Sequence, residues 1–244
     1  MKSIKDMKIS LAGASGTGKN ALMQAWSKKY DMPSVAVEIH QHAPTGIASH
    51  LDIIRMSSCA PHDGVKFQSE LLEARAEAFK STEGGFISDQ SVVDSYAYYA
   101  IHNSMFASPQ LDMELARVTE QSLRDIDLTV VLIPDLSKSG IPDNGIRLVS
   151  LPYYRAVSSI ILQTMQDLMY RHDDIIATSL HVNSHLGVHV AVSDTTSFCM
   201  IDEGSYENGQ APIEDRIAAI EKALAFIALS KAENNVQSAG ASAT

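Results

Sequence analysis

One stretch constrains this chain more than any other. Gly13-Ala14-Ser15-Gly16-Thr17-Gly18-Lys19-Asn20 sets a glycine, four residues, a second glycine and a lysine between an apolar run and a helical pattern. Met7 to Ala12 reads as a short buried strand and Lys19 to Tyr30 as a helix. Strand, loop and helix in that order gather successive backbone N–H groups and the positive end of a helix around a phosphate, with Lys19 reaching the terminal one. Side chains at the glycine positions would obstruct that approach. The pattern predicts that Gly13, Ala14, Ser15, Gly16, Thr17, Gly18, Lys19, Asn20 and Ala21 hold the phosphates of ATP or GTP. The competing reading is a glycine-rich turn that binds nothing. Asn20 stands where a Ser or Thr hydroxyl ordinarily completes a magnesium shell; its amide oxygen can still coordinate Mg2+ or hold one of its waters.

The remaining pattern predicts strands alternating with helices. Ser34 to Ile39, Phe86 to Ser88, Leu128 to Ile133 and Val188 to Ser193 read as strands. Val65 to Lys80, Val92 to Met105, Leu111 to Ile126, Tyr153 to Arg171 and Ile213 to Leu229 carry helical spacing. Such alternation predicts an α/β, three-layer fold, a parallel sheet flanked by helices. The length of 244 residues fits one domain, expected over 1–230, with a polar lid segment at about 140–155. From Lys231 the composition turns to Ala, Ser, Asn and Gly, which predicts a frayed tail over 231–244.

A second half of the site follows from position. Asp89, Gln90 and Ser91 close a predicted strand, and strand C-termini in such sheets face the crevice where ligands sit. Asp89 can accept the proton of an attacking hydroxyl or organise a metal-bound water; its alternative role is a helix N-cap. Asp94 falls just over one turn into the next helix, placed to bind a sugar or base, or else to be a solvated helix charge. Arg147 and Arg155 bracket the lid, where guanidinium groups could close over a triphosphate. His40, His42 and His50 lack a carboxylate or cysteine at metal-binding spacing and read as solvated loop residues.

Composition excludes several classes. The net charge of −10 argues against a broad basic surface that tracks nucleic acid. Two distant cysteines, Cys59 and Cys199, predict reduced, packed thiols and neither zinc nor a disulfide framework. The N-terminal apolar stretch is short and runs straight into the glycine loop, so no signal peptide is expected. No apolar run approaches the roughly 20 residues needed to cross a bilayer, and a cytoplasmic protein without a membrane partner is expected.

Three blocks in order, GASGTGKN, FISDQSVVDSYAYY and PDNGIRLVSLPYYR, carry a resemblance. The chain resembles small P-loop kinases of the nucleoside and nucleotide kinase superfamily, particularly the ATPase type of bacterial ribosylnicotinamide kinase domains and of phage nucleotide kinases. The resemblance implies the P-loop NTPase fold, a base or metal-organising role for Asp89, and phosphate contacts from Arg147 and Arg155. It implies an ATP-dependent, Mg2+-requiring transfer to a hydroxyl of a nucleoside, nucleotide or modified-base acceptor. Asn20 and Asp89 are then the metal residues, and Asp89, Gln90 and Asp94 the acceptor residues. The family's arginine after the catalytic Asp is Gln90 here, which cannot reproduce the two-point grip of guanidinium on a phosphate. That departure favours an acceptor that presents a bare hydroxyl. Phage-type 5-hydroxymethyluracil DNA kinases fit, with DNA as a polymeric substrate and the host cytoplasm as location. A nucleotide-dependent switch without an acceptor is the alternative, and a homodimer is a further option. Residues 177–209, with His181, His185 and His189, do not follow the family and read as an insertion.

Overall fold

The computed structural model describes residues 2–37, 39–47, 49–140, 148–170, 175–193, 196–203 and 206–241. In chain order, β1 (Lys8–Ala12) leads through the glycine loop into α1 (Lys19–Tyr30), then β2 (Ser34–Val35), α2 (Ile39–His42), α3 (His50–Cys59) and α4 (Pro61–Ser81). Next come β3 (Phe86–Ser88), α5 (Val92–His102), α6 (Pro109–Arg124), β4 (Leu128–Ile133), α7 (Leu136–Ser139) and α8 (Leu151–Tyr170). The chain closes with β5 (Ile176–His181), β6 (Gly187–Val192), β7 (Ser197–Asp202) and α9 (Ile213–Ala241).

Seven strands form one sheet in the order β2-β3-β1-β4-β7-β6-β5. Strand alternation sends side chains to both faces. Ile9 and Leu11 of β1 and Leu128, Val130 and Leu132 of β4 pack with Leu22, Met23 and Trp26 of α1 and Ile217, Ile220 and Leu224 of α9. Ala12 and Val131 point the other way, to Val93 and Ala97 of α5 and Val157, Ile161 and Met165 of α8. Both faces of the central strands are therefore covered, which is why β4 is a continuous apolar run.

The expected fully parallel sheet is instead mixed. β2, β3, β1, β4 and β7 are parallel, whereas β6 and β5 fold back antiparallel. Short connections between β5, β6 and β7 permit only antiparallel pairing, since a parallel return needs a long crossover. These strands occupy most of the stretch 177–209, where only one strand was expected. β2 is shorter than expected, and α2 and α3 replace the expected loop around His40, His42 and His50. α9 continues through Lys231 to Ala241, beyond the point where a tail was expected; no proline interrupts the run. Cys199 is buried in β7, while Cys59 is exposed. No helix among the described residues is long and apolar enough to cross a membrane.

Candidate phosphate-transfer site

β1 delivers the chain to Gly13 at the sheet's C-terminal edge, and the loop turns through left-handed backbone at Gly16 (φ 92°) and Gly18 (φ 85°) before α1 begins at Lys19. The left-handed backbone at Gly18 favours glycine, and a Cβ there would lie 2.5 Å from Nη1 of Arg216 and displace that guanidinium. Gly18 caps α1 without a side chain. The amides of the first turn have no intrahelical acceptor and carry the positive end of the helix dipole, the arrangement that suits an anion.

Lys19 is buried and folded over its own loop. Its Nζ donates to the carbonyl oxygens of Gly13 and, at 3.0 Å, of Ala14, and lies 3.8 Å from the Asp94 carboxylate. α5 grips the same loop with two side chains one turn apart. Asp94 Oδ1 accepts from the Gly13 N–H at 2.9 Å, and Tyr98 Oη accepts from the Ser15 N–H at 3.1 Å. Asp94 is thus no solvated helix charge; it is 2% exposed. Burial pushes its pKa up, against the opposing pull of Lys19, the Gly13 amide and Arg75. Burial likewise raises Tyr98 and Tyr153, so both phenols stay protonated near neutrality.

The remaining expected residues separate. Asp89 lies half-buried just past β3 and within electrostatic reach of Arg75. The N-cap of α5 is Ser91, whose side chain accepts from the Val93 N–H, so Asp89 is not engaged as the cap. Asn20 and Ala21 are exposed on the first turn of α1. Arg155 is exposed on α8 and lines a different groove, with Asp135 and Asp202. Arg147 lies outside the described residues, as do residues 141–147 of the expected lid.

Beside the loop is a cavity of about 50 Å³. Ser15, Lys19, Asp94 and Tyr98 form its loop side; Ile39, Ile53, Phe67 and Leu71 form an apolar wall. Its polar lining includes residues that sequence reading missed. Gln68 and Arg75 project from the buried face of α4, 3% and 2% exposed. The Gln68 Oε1 has no hydrogen-bond partner among the described residues. Arg75 donates to Ser95 Oγ and Gln90 Oε1 and, at 3.5 Å, to the Ser91 carbonyl. His102 Nε2 lies 2.6 Å from Tyr153 Oη at the far side. A signal for Arg75 did exist: it shares a helical face with Phe67, Leu71, Leu72 and Phe79, where a charge is rare unless paired. The present volume suits a few waters, whereas small-molecule sites run to several hundred Å³.

Loop, helix and flanking sheet define the P-loop NTPase fold. A family model described as an AAA domain matches residues 8–181, and the chain belongs to that family. Among solved structures, deoxyadenosine kinase from M. mycoides with products dCMP and a flexible dCDP bound is similar. Its TM-score is 0.58 at 14% identity, covering 91% of this chain and 100% of that one. A gluconokinase from Sinorhizobium meliloti 1021 has a TM-score of 0.38 at 14% identity, covering 97% and 99%. NadR protein in complex with NAD and AMP-PNP has 0.37 at 12% identity, covering 67% and 42%. At such identities the first likeness establishes the fold alone, and the other two add nothing to it. No curated protein matches the sequence.

Proposed function

We propose that this protein is a kinase that transfers the γ-phosphoryl group of ATP, with GTP as the other candidate donor, to a hydroxyl of a nucleoside or nucleotide-type acceptor. The observation that carries this reading is the shared wall: Ser15, Lys19, Asp94 and Tyr98 belong both to the phosphate loop's surroundings and to a polar-lined cavity. A protein that only bound or hydrolysed nucleotide would have no need of a second pocket opening on its phosphate site. The deoxyadenosine kinase whose structure is similar carries dCMP and dCDP, which accords with an acceptor of this class.

In this mechanism Lys19 leaves the Gly13 and Ala14 carbonyls to reach the phosphate oxygens, and the loop amides hold them. The acceptor hydroxyl attacks the γ-phosphorus, the bond to the β–γ bridging oxygen breaks, and Asp89 takes the hydroxyl proton. Magnesium bound with the nucleotide would neutralise charge on the phosphates. The hard oxygens of Asn20 and Asp89 suit it, and with no cluster of three or more ligating side chains among the described residues, phosphates and waters would complete its shell. Arg147 and Arg155 would supply phosphate contacts in this reading, and Arg155, which lines a different groove on α8, would have to move to do so.

Arg75 alters the inference drawn from Gln90. A guanidinium is present in the cavity after all, supplied by α4 and bonded to Gln90 itself, so an acceptor bearing a phosphate or a polar base edge is equally well met. The unpartnered Gln68 oxygen supports an acceptor that brings an N–H donor, as nucleobases do. Transfer of label from γ-labelled ATP with magnesium tests the reading, using nucleosides, monophosphates and DNA with ordinary or hydroxymethylated pyrimidines as acceptors. Label on a small acceptor, lost in Lys19→Ala, is the expected result. Label on DNA would move the assignment to a DNA kinase, and label only in free phosphate would replace the kinase with a nucleotide-dependent switch.

A further inference from the structure

The phosphate loop is held from both faces of the sheet. On the α9 side the holding group is Arg216, 3% exposed. Its Nη1 donates to the Thr17 carbonyl at 3.1 Å, and its Nη2 donates to Oε2 of Glu203 at 2.6 Å. Glu203, fully buried, directly follows β7, and the same Oε2 accepts from the Ala211 N–H at 3.2 Å. A buried ion pair gains little net stability over an apolar pair of the same shape, because both charges lose their water. What it supplies is direction. One guanidinium fixes two acceptors in a rigid fork, one of them a carbonyl of the phosphate loop.

That carbonyl matters because a peptide unit is planar and trans, so its C=O and N–H point in opposite directions. Holding the Thr17 carbonyl toward Arg216 turns the Gly18 N–H the other way, off the face where the guanidinium lies. Gly18 is also where a Cβ would strike Nη1, so the grip and the glycine are two sides of one fit. The connection that carries Glu203 is tied in turn to the chain after β4. Asp135 N–H donates to the Gly209 carbonyl at 2.8 Å, and Lys138 Nζ to the Tyr206 carbonyl at 3.4 Å.

We infer that Arg216, held by Glu203, is a positioning residue that aims the Gly18 N–H at the nucleotide phosphates and links the phosphate loop to the β7–α9 connection. The inference rests on the nucleotide-binding reading above. Calorimetric affinities for ATP and for inorganic tripolyphosphate test it, in wild type, Lys19→Ala, Arg216→Lys and Glu203→Gln, each checked for folding by thermal melting. Lysine keeps the charge but cannot span both acceptors; losing a charge-assisted hydrogen bond predicts about tenfold weaker binding of both probes. In turnover the KM for ATP rises and the KM for the acceptor does not. A merely structural arginine would lower the melting temperature and leave both affinities in the cold unchanged, which overturns the inference. Should Arg216→Lys not fold, the isosteric Glu203→Gln decides: weaker binding of both probes supports the role, and unchanged binding overturns it. Wild type that binds neither probe sinks the nucleotide reading and this inference together. Wild type that binds, with Lys19→Ala impaired and folded Arg216→Lys unimpaired, sinks this inference alone.

Discussion

The two halves of the site are built on opposite principles. The phosphate loop is eight contiguous residues whose working groups are backbone amides, shaped by glycines and gripped by Asp94 and Tyr98 on one face and Arg216 on the other. The cavity beside it is assembled from side chains of α2, α3, α4, α5 and α8, and it keeps a buried amide oxygen without a partner among the described residues. Backbone amides recognise what all nucleoside triphosphates share. In the proposed reading selectivity for the acceptor lies in the cavity, where a buried polar group left unpaired penalises the wrong ligand.

Mutations break or sharpen that division. The largest effect is expected at Lys19, which belongs to both halves. Lys19→Ala should lower label transfer by about 10²–10³-fold, as loss of one preorganised electrostatic contact typically does. Near-normal transfer in that variant would overturn the mechanism. Next come Arg75→Met and Gln68→Leu, whose side chains line the cavity and make no hydrogen bond to the phosphate loop. Steady-state kinetics should show kcat/KM for the acceptor falling by about 10–100-fold, the cost of leaving buried polar partners unmatched, with calorimetric ATP affinity unchanged. Equal losses for donor and acceptor would mean that the two halves are not separable. Tyr98→Phe is smaller, because the bond it takes from the loop, from the Ser15 N–H, is neutral. About 1 kcal/mol, or roughly fivefold weaker ATP binding, is expected by titration. An effect on acceptor KM alone would place Tyr98 wholly in the cavity.

The same division explains what could be read from the sequence. β1, the glycine loop and α1 were legible because strand, turn chemistry and helix are local and adjacent, and β4 because an apolar run of that length fits a strand covered on both faces. β5 and β7 were not legible. Their sequences, IATSLH and SFCMID, mix polar and apolar residues, and pairing with β6 and β4 stabilises them through contacts distant in the chain. Asp94 was singled out by its spacing after a strand, yet its contacts with Gly13 and Lys19 depend on how α5 packs across β1, and Asp89, singled out in the same way, does not line the cavity. Gln68, Arg75 and Arg216 were missed for the same reason. Each sits in a helix whose pattern reads as amphipathic, and only the fold turns the polar member of a buried face toward the loop.

The smallest expected effect concerns the charge balance where the two halves meet. Asp94 has a raised pKa because burial outweighs the pull of Lys19, the Gly13 amide and Arg75. A carboxyl whose folded pKa lies above its unfolded value holds its proton more tightly in the native state. Its contribution to stability is therefore full below the unfolded value and is lost as pH rises through the folded one. Urea unfolding at a series of pH values should show this decline in wild type as pH rises above the ordinary carboxylate range. Asp94→Asn, which keeps an oxygen for the Gly13 N–H but cannot ionise, should show less of it, so the difference between the two curves isolates the group from all other carboxylates. The opposite sign, with wild type gaining on the variant as pH rises, would mean that Lys19 and Arg75 stabilise the carboxylate by more than burial penalises it. Lys19 would then be held by an ion pair at Asp94, and its release toward the phosphates would carry the cost of breaking that pair.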